Sequence, residues 1–434
     1  MGEELRFQHF SGIVINEAAV IGHHCLMFHG VTICAAPSSI PRIGNHVIIS
    51  NGCKVIGGVH IGDNVIIGAN AVVTHGIPDN SIAVGIPAKV IGQINSKKNG
   101  RLLLPLISQD MRERDYSIDI LKFLAVFLII NSHMDALYVK YGMFATGGAI
   151  GDVLFLFASV YTLLLSKRNL SFDNWYKRRI NRIYPSVFVC TVMGALFSLR
   201  CSLNLSEFGG GEFIIAIMIY YMLIYAIKRY AVKYIPHIIA LIGIVSLVVY
   251  VEWYPYKYLT GEKGIYGITT LFRWIPYFAF MLFGSWMGLK RKNLKFHAVF
   301  DFLKMIGSLL FFYGIQFAAM KYAVVAPYQI ITLLPLMGIV YYFYKWCHAE
   351  FLKILYNKRF SHAVIMTISS LCLESYLIQF SVFTTKMNDI FPFNIPIMII
   401  IVLLVAFFCK CLSRLFSQTF REGDYNWKEI VKLY

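Results

Sequence analysis

Lys122 and His133 stand eleven residues apart in the stretch YSIDILKFLAVFLIINSHMD, residues 116–135, with Asp119 just ahead of them. The stretch is otherwise apolar and long enough for a membrane helix. Ionisable side chains inside a span are costly to bury, so each is a functional candidate. Eleven residues make about three helical turns, which sets Lys122 and His133 on roughly one face near opposite ends. A histidine there can take a proton from a hydroxyl or carry an acyl group briefly; the plainer alternative is an interfacial histidine at a helix end. A second group is basic. Arg178, Arg179 and Arg182 abut an apolar segment, and arginine forks fit phosphate oxygens, although ordinary loop charge accounts for most cations in that region. Glu374, inside LESYLIQF, needs a partner in lipid, either His133 or a nearby cation. Asp119 and Asp152 sit at segment edges as partners for Lys122 or a loop arginine. Tyr376 and Gln379 read as helix-packing residues able to hydrogen-bond a sugar.

The elements that must carry these groups are apolar. The chain has 434 residues, 58% of them hydrophobic and 15% aromatic, with a formal charge of +17, the composition of a polytopic membrane protein. Ten apolar segments follow one another within 117–134, 148–166, 184–199, 212–227, 236–252, 272–289, 302–320, 328–345, 363–383 and 395–413. Lysines and arginines cluster after the second, fourth, sixth and eighth, as at Arg178, Lys228, Lys290 and Lys353, while the opposite loops hold scattered cations. This alternation predicts ten spans in an inner or plasma membrane, with both termini in the cytoplasm. It also explains the basic excess without nucleic acid, for which no soluble basic face is visible. The nine cysteines are scattered with no CxxC pair and no metal-ligand spacing, so they read as buried small apolar residues and no metal is expected. The polar N-terminus has no look of a cleavable signal peptide, which makes the segment near 117 the expected start of insertion.

Ahead of the spans lies a repeat. Aliphatic anchors recur every six residues at Ile15, Ile21, Met27 and Ile33, then at Ile43, Ile49, Val55, Ile61, Ile67 and Val73. A period of six is the signature of a parallel β-helix whose anchors fill a prism. The interruption CAAPSSIPR, residues 34–42, carries two prolines and no anchor and should loop out. Ten hexads predict about three turns, and stacked repeats of this length gain stability from neighbours, which suits a homotrimer. The expected organisation is therefore a short left-handed parallel β-helix over 1–94, a basic linker over 95–115, an all-α polytopic domain of about ten transmembrane helices over 116–415, and a cytoplasmic tail over 416–434.

Two resemblances add to this reading. HFSGIVINEAAVIG, HGVTI and VGIPAKVIG resemble the prism of serine acetyltransferases and related hexapeptide O-acetyltransferases. The resemblance implies an acetyl-CoA site between subunits and assigns the general base to His9. Here Gln8 replaces the acidic residue before that histidine, Ile40 stands near the place of a second active-site histidine, and the upstream aspartate that supports the base is missing. From about 114 to 415 the chain resembles the integral-membrane acyltransferase 3 family through an ordered set of motifs. These are IDILKFLAVFLIINSH, FLFASVYTLLL, the basic loop KRRINRIYPS, the glycine-bearing FAFMLFGSWMGL and LCLESYLIQF. That family needs an arginine and a histidine eleven apart on its first span, which implies roles for Lys122 and His133. The arginine has become lysine, which keeps the charge but not the bidentate fork.

Taken together, these residues and resemblances describe a membrane O-acyltransferase, in the first instance an O-acetyltransferase. It is expected to move acetyl from cytoplasmic acetyl-CoA, held by Arg178, Arg179 and Arg182, to a hydroxyl of an exported polysaccharide or other envelope glycan. His133, Lys122 and His9 are the expected catalytic groups, with Asp119, Glu374 and Tyr376 in support. One alternative places the chemistry in the prism, on serine or a sugar, with the spans as an anchor. Another is a polytopic glycan or lipid transporter with a scaffolding repeat.

Overall fold

The computed structural model describes residues 2, 4–8, 11–36, 39–94, 115–165, 171–197, 210–253, 264–266, 271–420 and 424–433. His9, the linker residues 95–114 and Cys201 lie outside the described residues. The chain divides into two compact units, Met1–Arg114 and Asp115–Tyr434.

In the first unit the six-residue period closes into a parallel β-solenoid of about four turns. Its first face stacks β1 (Arg6–Gln8), β4 (Leu26–Phe28), β7 (Ile48–Ile49), β10 (Ile66–Ile67), β12 (Ser81–Val84) and β13 (Lys89–Gln93). The second stacks β2 (Val14–Ile15), β5 (Thr32–Cys34), β8 (Lys54–Ile56) and β11 (Val72–Val73). The third stacks β3 (Val20–Ile21), β6 (Arg42–Ile43) and β9 (His60–Ile61). Arg42 pairs with His60, Ile48 with Ile66 and Lys54 with Val72, a shift of 18 residues or three hexads per turn. Where the proline-bearing interruption intervenes the shift is 22, as from Val20 to Arg42, and Ala36 and Ser39 pair across a tight turn outside the coil. The expected three turns become about four because β1 and β12 extend the stack at either end of the anchor run. From Ile21 to Val73 every anchor is at most 3% exposed. A second buried row, two residues ahead of each anchor, includes Cys25 and Cys53. Burial pushes the Cys53 thiol up to about 12, the behaviour of an inert core residue. The corners need left-handed backbone, which Gly30 and Gly52 supply at φ +71° and +72°.

The second unit is helical. In order its helices are α1 (Tyr116–Ser132), α2 (Gly148–Val160), α3 (Phe172–Phe197), α4 (Gly211–Tyr230), α5 (Ile235–Trp253), α6 (Trp274–Lys290), α7 (Ala298–Lys321), α8 (Leu333–Trp346), α9 (Glu350–Asn357), α10 (Arg359–Ser370), α11 (Cys372–Val382) and α12 (Asn394–Thr419). Each of the ten expected segments falls on this series. By length and apolarity, however, seven helices among the described residues can cross a membrane, α2 and α8 together with the turns that lead into them, or eight if the bent pair α10–α11 counts as one. The shortfall from ten lies in α1 and α6, which have 17 residues each, the lower limit for a span.

Two features set the geometry of the bundle. Gly284 and Gly288, four apart on α6, lie against the carbonyls of Phe157 of α2 and of Tyr161 at its C-cap, where a Cβ would collide with backbone. This is the small-residue spacing that lets membrane helices approach closely. Gly284→Val should force α6 off α2 and lower the resistance of the protein to SDS unfolding by several kcal/mol, the scale of a severe overpacking. The expected single span over 363–383 is broken, with α10 and α11 meeting at 68° at Leu371. Ser369 and Ser370 turn their hydroxyls back to Met366 O and Thr367 O, competing with the helix ladder. Lys410 on α12 donates to the carbonyl of Ser370 that the break exposes.

Candidate functional site

Asp115 caps α1, accepting from Ser117 N at 3.2 Å, and starts the helix that carries the candidate pair. Lys122 lies half-buried about two turns on, and His133 is the C-cap. Along the axis they are about 16 Å apart, so they mark two levels of the bundle rather than one contact.

His133 is held from two sides. Its Nδ1 lies 2.9 Å from Ile129 O on its own helix and 3.2 Å from the Gln379 amide of α11. A carbonyl oxygen can only accept, so Nδ1 carries the proton and Nε2 carries the ring's lone pair. Gln379 is fully buried, and its oxygen has no partner among the described residues as placed; turned toward the ring, that oxygen would share the Nδ1 proton. Phe380 packs edge-on against the imidazole with centroids 4.8 Å apart. Gln379 as the companion of His133 is what sequence reasoning missed. Its signal was the polar position in LESYLIQF, read there as packing.

The other predicted residues fall elsewhere. Of its two expected partners, Glu374 meets the nearby cation. It accepts from Ser186, the serine of the tyrosine-proline-serine motif, at 2.8 Å, and faces Lys410 at 3.7 Å, with Ser186 in turn bonded to Ser413 at 3.0 Å. Asp119 accepts from Tyr356 at 2.9 Å. Tyr376 lies half-buried with its ring 5.1 Å from that of Phe213, and its carbonyl accepts from Gln379. Asp152 is served by Tyr277 at 3.3 Å, within the field of Arg273. The basic run expected as a loop is helical, because α3 starts at Phe172 and continues through Pro185. Arg178 and Arg182 are exposed on it. Arg179 is the inward one, its guanidinium 5.2 Å from the Trp175 ring and 5.7 Å from that of Tyr221, with a buried Nε that has no hydrogen-bond partner among the described residues.

At the end of the bundle where α1 begins, a polar network gathers around Asp115 that the sequence did not announce. Its carboxylate accepts from Ser117 Oγ at 2.5 Å, from Tyr161 at 2.7 Å and from Tyr344 at 3.4 Å, and pairs with Arg291 at 3.3 Å. His348 stands 3.6 Å away and stacks on Phe296 at 4.1 Å. Burial pushes the His348 pKa below the ordinary 6.5, despite the opposing pull of Asp115. The native state therefore binds fewer protons than the unfolded chain just below 6.5. The stability linked to His348 is intact above 6.5 and is lost as the pH falls through its lowered native value. SDS-unfolding titrations should show wild type weakening from pH 7.5 to 5.5, and His348→Gln weakening less over that interval.

Comparison with known proteins separates the two units. Residues 41–75 match the bacterial transferase hexapeptide repeat. The first unit is similar to serine acetyltransferases. It is 38% identical over 95 residues to that of Synechococcus elongatus, covering 21% of this chain and 39% of the relative. It is 41% identical over 95 residues to that of Helicobacter pylori, covering 21% and 56%. Among solved structures, a serine acetyltransferase from Brucella abortus in complex with coenzyme A is 31% identical with a TM-score of 0.21, covering 22% of this chain and 40% of that one. A maltose O-acetyltransferase from Clostridium difficile is 33% identical with a TM-score of 0.21, covering 22% and 58%. The chain thus spans about half the length of the relatives it matches, or less. Residues 115–414, the helical unit with His133, Asp115 and the arginines of α3, match the acyltransferase domain Acyl_transf_3 over well more than half of the chain, and the chain belongs to that acyltransferase family.

Proposed function

We propose that this acyltransferase is a membrane O-acetyltransferase that takes acetyl from acetyl-CoA and places it on a hydroxyl of an exported polysaccharide or other envelope glycan. The observation that carries the reading is the imidazole of His133, whose Nδ1 is committed to Ile129 O so that Nε2 is the basic nitrogen. In the reaction Nε2 takes the acceptor hydroxyl proton as the oxygen attacks the thioester carbonyl. The C–S bond breaks, and the CoA thiolate recovers the proton from the imidazolium, giving ester and free CoA.

The donor enters at the Asp115 end, where Arg178, Arg179 and Arg182 offer forks to its phosphates. The clustering of basic residues at that end supports a cytoplasmic location for it and for both termini. Lys122, half-buried between the two ends, supplies positive charge along the path of the thioester. Asp119 and Glu374 act in support by fixing Tyr356 and Lys410. The prism is a second acetyl-transfer module, with His9 as its base, or a trimerising element. The similarity to serine acetyltransferases supports both, and Gln8 and Ile40, standing where that family carries an acidic residue and a second histidine, favour the second. The transport reading draws on the break at Leu371, since interrupted helices line transport sites.

Membranes carrying the chain should convert labelled acetyl-CoA to free CoA and ester-linked acetate. Arg179→Ala should raise the half-saturating acetyl-CoA about tenfold, the loss of one charge-assisted contact. No turnover with any hydroxyl acceptor would favour transport.

A further inference from the structure

On the His133 side of the bundle a second polar group remains unused by the reaction above. Asp152 of α2 accepts from the Tyr277 hydroxyl of α6 at 3.3 Å. Arg273, the residue before α6, acts electrostatically on both, yet forms no ion pair with Asp152 within 4 Å among the described residues. Tyr376 of α11 lies in the field of Asp152, Arg273 and Glu212, and its ring meets Phe213 of α4. The carbonyl of the same Tyr376 holds the Gln379 amide that touches His133, so the group adjoins the base.

Four helices contribute, and a sealed core would bury what they bring together. Asp152, Phe213, Arg273 and Tyr376 are instead each only half-buried. Tyr277 itself is buried, so the group joins a buried hydroxyl to side chains that keep part of their surface in solvent. Its chemistry is selective. The Asp152 carboxylate, with the field of Glu212 reaching Tyr376, disfavours a phosphate or a carboxylate ligand, while a simple cation would gain nothing from Arg273. A neutral ring bearing hydroxyls uses every group: carboxylate oxygens accept from its O–H bonds, the guanidinium donates to its oxygens, and Tyr376 and Phe213 pack against its C–H faces.

We propose that Asp152, Tyr277, Arg273, Tyr376 and Phe213 form the acceptor subsite, which binds a neutral hydroxylated sugar ring and presents one hydroxyl to His133. This rests on the reading of His133 as the base. Purified full-length protein in lipid nanodiscs would be given labelled acetyl-CoA with two probes, the neutral polysaccharide fraction of the envelope and methyl glucoside. Asp152→Asn and Tyr376→Phe should each raise the half-saturating polysaccharide at least tenfold and leave the half-saturating acetyl-CoA within twofold. Saturation by methyl glucoside as well means that the site reads a free ring; saturation by polysaccharide alone means that it reads a ring within a chain. Both outcomes support the subsite.

Unchanged polysaccharide saturation in both variants would overturn it, as would label that enters protein or lipid but no carbohydrate in wild type. Tyr376→Phe removes a single oxygen, so its effect is separable from misfolding. His133→Ala keeps the failures distinct: if it still transfers acetyl, the base is misassigned, and the shift in acceptor saturation continues to test the subsite.

Discussion

Replacing His133 by alanine lowers acetyl transfer by about 10²–10⁴-fold, the range a positioned general base supplies, while the protein inserts and resists SDS as wild type does. The chemical reason lies in the groups that hold the ring. Gln379 and the Ile129 carbonyl, which touch the ring, are not bases at neutral pH. Gln379 provides the sharper variant. Gln379→Leu removes a contact that fixes the ring and should lower kcat with little change in the half-saturating acetyl-CoA. Gln379→Glu sets a carboxylate beside Nδ1, favours the imidazolium and moves the acidic limb of the pH–rate profile to higher pH. A purely packing role for Gln379 would change stability and leave that limb where it is.

Asp115→Ala lowers stability by about 3–5 kcal/mol, the cost of removing one partner from a buried charged network. The Asp115 side chain is 5% exposed, while Arg291 is 36% exposed and can partly rehydrate, which places the effect toward the lower part of that range. The hydroxyls of Tyr161 and Tyr344 keep each other at 2.6 Å but lose their shared acceptor. Asp115 is also the cap of the helix that carries Lys122 and His133, so the loss frays α1 at its first turn. SDS-unfolding titration measures the change. Acetyl transfer should fall with the folded fraction, at unchanged half-saturation for acetyl-CoA.

What the sequence made legible follows from how local each signal is. The solenoid could be read because a six-residue period is written in neighbouring residues, and the anchors from Ile21 to Val73 all proved buried. The helical segments could be read for the same reason. Gly284 and Gly288 were visible as a motif, although their partner carbonyls at Phe157 and Tyr161 were not. The partners of the site were hidden by distance along the chain. Gln379 is 246 residues from His133, and Tyr344 is 229 from Asp115. No periodicity links such positions. The break at Leu371 was hidden too, because LCLESYLIQF is apolar enough to read as a straight span, and what bends it is a pair of serine hydroxyls and a lysine from another helix. The inward turn of Arg179 was hidden as well, because α3 runs unbroken through Pro185, which sequence reasoning took for the end of a loop.

The central claim is that chemistry takes place in the helical unit at His133. It is tested by acetyl-CoA turnover in membranes carrying wild type, His133→Ala or His9→Ala, with alkali-labile acetate on envelope glycans measured in the same cells. The account predicts that His133→Ala abolishes glycan acetylation and that His9→Ala spares it. Loss of turnover in His9→Ala alone, with His133→Ala still active, would contradict it and move the active site to the prism.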